Sequence, residues 1–124
     1  MRNVFLTLAG MILCCLSVLA QPLGSWQEHL PYGRVIDVAA GAGKTYAATP
    51  FSCFSVTASN SAIDRLSRIT GLAETGVQTI FCSPNGTLVI AYKNSVIDIV
   101  RNTGIRTINA LHLKPINGDK KIYQ

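Results

Sequence analysis

Charge is scarce in this sequence. Only 14% of its 124 residues are charged, against 48% hydrophobic, and a chain so apolar buries enough surface to exclude disorder. Acids are scarcer still, with 6 Asp and Glu to 11 Lys and Arg and a net charge of +5. From Arg34 to Lys121 the bases are scattered, with no block of five and no run interleaved with aromatics. That pattern excludes a nucleic-acid surface. It reads as a solvated basic exterior, the alternative being a weak attraction for anionic polymers.

A hydrophobic run long enough to span a membrane is also missing. Val4 to Ala20 carries no charge, but it is interrupted by Thr7, Gly10 and Ser17 and falls short of the ~20 apolar residues a span needs. Arg2 precedes the run, Val18-Leu19-Ala20 places small residues at −3 and −1, and Pro22 follows. This is a cleavable signal peptide over residues 1–20. Cys14 and Cys15 follow Leu13 and each other rather than a small residue, so a lipid anchor is not expected.

Cysteine and histidine are few in the exported part: Cys53, Cys82, His29 and His112. There is no CxxC and no Cys/His spacing of a metal site. Export leads to an oxidising compartment, so two readings of the cysteines stay open, a Cys53–Cys82 disulfide and two buried thiols.

What is present is a repeat. Val35 to Val38, Thr45 to Thr49 and Cys53 to Thr57 are short alternating runs, separated by Gly41-Ala42-Gly43 and by Pro50 and Ser52. Such runs read as strands. A fourth, Ile63 to Ile69, suits a strand or a helical turn. The same order returns in Val77 to Cys82, Thr87 to Tyr92, Ser95 to Val100 and Ile105 to Leu111. Asn85-Gly86 between the first two predicts a type I′ hairpin turn. At a constant shift of 42, Val38 falls on Ile80, Ala48 on Ile90, Phe54 on Val96, Ile63 on Ile105 and Leu66 on Ile108.

Four strands per unit of ~40–45 residues is the signature of a β-propeller. A β-sandwich gives no reason for two strand sets to keep one register. The expected fold is therefore all-β: a partial β-propeller of about two four-stranded blades after the signal peptide. Residues 21–124 form the domain, with blade-like units at about 35–76 and 77–118 and a third starting at 119–124. A closed ring needs at least about four blades, so further blades are expected outside these residues. Ser25-Trp26-Gln27-Glu28-His29-Leu30 reads as a closing strand for the last blade or as a lead-in resting on the first.

Chemistry-bearing motifs are thin. Gly41-Ala42-Gly43-Lys44-Thr45 imitates the end of a phosphate loop, but Val38 stands where the first glycine belongs and a strand follows. Asn85-Gly86-Thr87 fits a glycosylation sequon that the turn explains by itself. Asp37, Asp64 and Asp98 are candidate paired carboxylates, but Asp37 lies on a first strand of the repeat and Asp98 on a third, and they are not expected to meet. His29 and His112 lack triad partners. No catalytic, cofactor-binding or metal-binding residue is expected, and no cofactor.

Trp26 to Leu30, Tyr46 to Thr49, Arg65-Leu66-Ser67-Arg68-Ile69-Thr70-Gly71-Leu72 with Gly76-Val77, and Thr87 to Ile99 resemble the start of PorZ-like proteins. These are surface components of the type IX secretion system of Bacteroidetes, related to the propeller repeats of two-component regulators. The resemblance implies a non-catalytic adaptor at the cell surface, associated with the outer membrane. Its implied partners are a sortase, an outer-membrane barrel protein and anionic lipopolysaccharide, to which cargo is attached. The alternative implied by the related repeats is the periplasmic sensor of a hybrid two-component regulator.

Overall fold

A computed structural model describes Met1, residues 29–115 and residues 117–123. The expected signal peptide, residues 1–20, and most of the Ser25–Leu30 segment lie outside the described residues. The rest folds into two four-stranded antiparallel sheets, each in simple sequential order. The first holds β1 (Asp37–Gly41), β2 (Lys44–Ala48), β3 (Cys53–Thr57) and β4 (Ile63–Leu66). The second holds β5 (Val77–Cys82), β6 (Leu88–Tyr92), β7 (Ile97–Arg101) and β8 (Gly104–Ile108). The sheets meet chiefly where β5 passes β1 and β2, the inner-strand contact of successive propeller blades.

Between the sheets lies one core. Tyr46, Ala48 and Cys53 from the first sheet face Ile80, Cys82, Leu88, Ile90 and Tyr92 from the second, with Leu72 of the connecting segment closing the layer. Alternation places these residues on facing surfaces because strand side chains point to opposite sides in turn. Leu88, Ile90 and Tyr92 are fully buried, and each such side chain contributes about 1.5–3 kcal/mol of transfer free energy.

The turns explain how the repeat is built. In the first blade Gly41 pairs with Lys44, and Ala42 and Gly43 both take positive φ, the two-residue type I′ form. In the second blade Ser83 pairs with Thr87 and Gly86 N–H bonds back to the Ser83 carbonyl. There the positive φ sits on Gly86 and not on Asn85. Asn85-Gly86 therefore belongs to a three-residue loop, a type I turn followed by a left-handed glycine. Pro84 sets the first central position of that turn. The next turn, Lys93 to Ser95, follows the same scheme with Ser95 at φ 68.

These turn lengths correct the constant shift of 42. Ladder partners align Val38 with Ile80, Ala47 with Ile90, Phe54 with Asp98 and Arg65 with Thr107. The shift of 42 holds for β1 and β4, is one residue longer for β2 and two longer for β3. The first two turns of the second blade each carry one extra residue, and its third turn carries two fewer. Ala48 and Ile90 consequently lie on opposite faces of their respective blades: Ala48 points toward the second blade and Ile90 back toward the first.

Two further segments differ from the sequence expectation. Ile63 to Ile69 is both things at once, β4 to Leu66 and then a 3-10 turn at Arg68–Thr70. The turn is held by the Thr70 hydroxyl, which accepts from Ser67 N–H at 2.7 Å. The run Ile105 to Leu111 is divided. β8 stops at Ile108, and Ala110–Leu113 forms a short helix, α1. Among the described residues no helix is long and apolar enough to cross a membrane. Lys121 to Tyr123 carry no strand; Ile122 and Tyr123 line a cavity of about 230 Å³ together with Phe81, Val89, Ala91 and Ile97 of the second blade.

Candidate functional site

Each acid noted in the sequence has its own structural task. Asp37, on β1, accepts the Thr79 hydroxyl at 2.6 Å and Ile80 N–H at 2.8 Å from β5, as well as its neighbour Val38 N–H. Partial burial pushes its carboxyl up, but these three hydrogen bonds outweigh that and hold it below the usual value. Asp98 is fully buried. It accepts from the Tyr92 hydroxyl at 2.7 Å, Ala73 N–H at 2.8 Å and the Thr107 hydroxyl at 2.6 Å. Burial first, and then the bond to Asp98, push the Tyr92 hydroxyl far above its ordinary range. Asp64 forms an exposed pair with Lys44 at 2.9 Å.

These carboxylates are thus spent on joining strand to strand and linker to blade. No two of them share a proton or converge on open space, which general acid–base work requires. His112 Nδ1 lies 2.8 Å from the Asn94 carbonyl oxygen, and His29 is exposed. Among the described residues no group of three or more His, Cys, Asp or Glu could hold a metal ion. Cys53 and Cys82 are free thiols, both buried, and burial pushes the Cys53 thiol up to about 12. Lys44 and Thr45 of the phosphate-loop imitation lie on β2, so no helix N-terminus stands there to receive a phosphate.

Open space lies at the blade ends. Strand direction puts the start of β1, the β2–β3 turn, the β6–β7 turn and the linker into β5 at one end of both blades. There Pro31, Arg34, Ile36, Pro50, Phe51 and Lys93 line a groove of about 360 Å³. The Pro50 carbonyl accepts both Gly76 N–H at 2.9 Å and Val77 N–H at 3.1 Å, and the Gly76 carbonyl accepts Lys93 N–H at 3.0 Å. These bonds fix the β2–β3 turn, the linker and the β6–β7 turn relative to one another, and Ile36 N–H on the Ala48 carbonyl at 2.8 Å ties the lead-in to β2. The Thr49 hydroxyl sits 3.1 Å from Ser52 N and 3.0 Å from Ser52 Oγ, which locks the turn that presents Phe51.

No motif in the sequence singles out this groove. Arg34 and Lys93 are unremarkable alone, and Phe51 stands outside every strand. The available signal is positional, because Phe51 and Lys93 occupy equivalent turns of successive repeats.

Two sequential antiparallel sheets of one strand order, packed through their inner strands, define consecutive blades of a β-propeller. The model of the type IX secretion system PorZ N-terminal β-propeller domain matches residues 45–124, and the chain belongs to that family. Among solved structures, PorZ of Porphyromonas gingivalis is similar at 26% identity and a TM-score of 0.60, over 65% of this chain and 11% of that one. That protein is described as an essential bacterial surface component of the type IX secretion system. The chain thus spans about a tenth of the solved protein's length. No curated protein matches the chain.

Proposed function

We propose that this chain contributes the first blades of a non-catalytic adaptor of type IX secretion. The adaptor works at the cell surface, where cargo is joined to anionic lipopolysaccharide by a sortase beside an outer-membrane barrel. The family match over residues 45–124 carries the reading. The engagement of Asp37, Asp64 and Asp98 in blade-building contacts agrees with a binding rather than a catalytic role. The signal-peptide pattern of residues 1–20 supplies the export such a role demands.

The test is deletion of the gene in its source bacterium, followed by fractionation of a type IX cargo protein. Cargo should remain inside the envelope, unattached to lipopolysaccharide. The intact gene should restore attachment, and a copy lacking residues 1–20 should not. Unchanged cargo attachment in the deletion strain would overturn the reading.

A further inference from the structure

We infer that the groove at the blade end is a docking site for an extended protein segment that carries carboxylates beside an aromatic or aliphatic side chain. Three observations converge on it. First, among the described residues its lining holds two cations, Arg34 and Lys93, and no acid. The ion pairs of the described residues lie elsewhere, at Lys44–Asp64 and Arg68–Glu74. Second, its floor is apolar. Phe51 is 46% exposed and Ile36 38%, and Pro31 and Pro50 complete the surface. An aromatic left in water on a locked turn, rimmed by charge, is the composition of an interaction hot spot.

Third, the Pro50, Gly76 and Lys93 backbone bonds fix the two turns before anything binds, and Ile36 N–H on the Ala48 carbonyl ties the lead-in to β2. Preorganisation removes the ordering cost a loose surface would meet on binding. The lining also selects among anionic ligands. Two cations beside an apolar floor suit carboxylates set next to a bulky apolar side chain. An extended peptide places a carboxylate on each cation and an apolar side chain on Phe51.

The inference is independent of the secretion role, because it is read on purified protein rather than on cargo in cells. The probe is a short, capped, dye-labelled peptide alternating glutamate and phenylalanine, titrated by fluorescence anisotropy with the exported protein. Saturable binding should weaken as salt is raised, since exposed charges are screened. Arg34→Glu with Lys93→Glu should weaken it at least ~10-fold, and the same double variant should gain binding to a lysine–phenylalanine peptide.

Phe51→Ser should weaken binding by about 10-fold, and Phe51→Tyr should retain it. Circular dichroism and a thermal melt establish that each variant is folded. The inference is overturned by no saturable binding, or by equal binding to the folded variants. It is also overturned if a glutamate–serine peptide binds as well, or if inorganic phosphate displaces the probe while Phe51→Ser leaves affinity unchanged. Either of those last results makes the groove a simple anion site.

Discussion

The Thr79 hydroxyl donates to Asp37 Oδ2 at 2.6 Å, and the two residues are 42 positions apart, one repeat of the chain. The same carboxylate oxygen accepts Ile80 N–H. One side chain of the first blade therefore pins the inner strand of the second. Asp37→Ala leaves the Thr79 and Ile80 donors of β5 without this partner at a partly buried junction, and removes the Val38 N–H bond as well, at a cost of about 1 kcal/mol or more. A lowered melting temperature of the propeller, with Thr79→Val losing less, is the expected outcome.

That carboxylate also sets a pH dependence. Its folded value lies below the unfolded one, so its contribution is fully present above the unfolded value of 3.8 and is lost as pH falls through the folded value. Asp37→Asn should flatten this part of the stability profile between neutral and strongly acidic pH. A melt series against pH checks it. An unchanged acid limb contradicts the assignment.

Gly41 faces the second blade at a close approach of the two. A Cβ there would lie 2.5 Å from the Ser83 carbonyl oxygen and 2.7 Å from Cys82 Sγ. Gly41→Ala forces the inner strands apart and should cost about 1–3 kcal/mol, the usual range for overpacking. A Cβ at Gly33 would meet nothing within 4 Å, so Gly33→Ala is the matched control and should leave the melt unchanged.

Tyr92 and Asp98 form the polar pin of the second blade. Tyr92→Phe removes one of three donors to a buried carboxylate and should cost about 1.5–3 kcal/mol. Asp98→Ala strands the Tyr92 and Thr107 hydroxyls and the Ala73 N–H together, and should cost more. Urea unfolding of the variants gives the order directly.

The thiols give a chemical test. Cys53 is buried with its thiol held at about 12, and the thiolate is the reactive form. Alkylation by a maleimide at neutral pH should therefore be slow at Cys53 in the folded protein and complete after denaturation. Intact mass after labelling checks this, and the same spectrum reports whether the mature chain begins at Gln21, the residue after the Val18-Leu19-Ala20 pattern.

Much of the fold is legible in the sequence because it repeats. Alternation marks β1 to β3 and β5 to β7, and the glycine turns separate them. The exact superposition is not legible in the middle strands. Single-residue insertions in the turns after β5 and β6 are invisible to a constant shift, yet one residue moves a strand side chain to the other face, as with Ala48 and Ile90. Ile105 to Leu111 reads as one alternating run, but β8 is an edge strand and pairs only as far as Ile108 with Ile97; past that partner the chain turns into α1. Asp98 looks like a candidate acid in the sequence, and only the fold supplies the Tyr92, Ala73 and Thr107 donors that make it a structural one. The groove of Arg34, Phe51 and Lys93 exists only once two blades and the lead-in stand side by side.

The most direct measurement is an experimental structure of the exported protein. Residues 37–66 and 77–108 should form adjacent blades, with Thr79 on Asp37 and Cys82 against Gly41. The outward face of the second blade, bearing Phe81, Val89 and Ile97, should be turned away from the first. A sandwich in which that outward face packs on Val38, Phe54 and Ile63 of the first sheet would contradict the propeller.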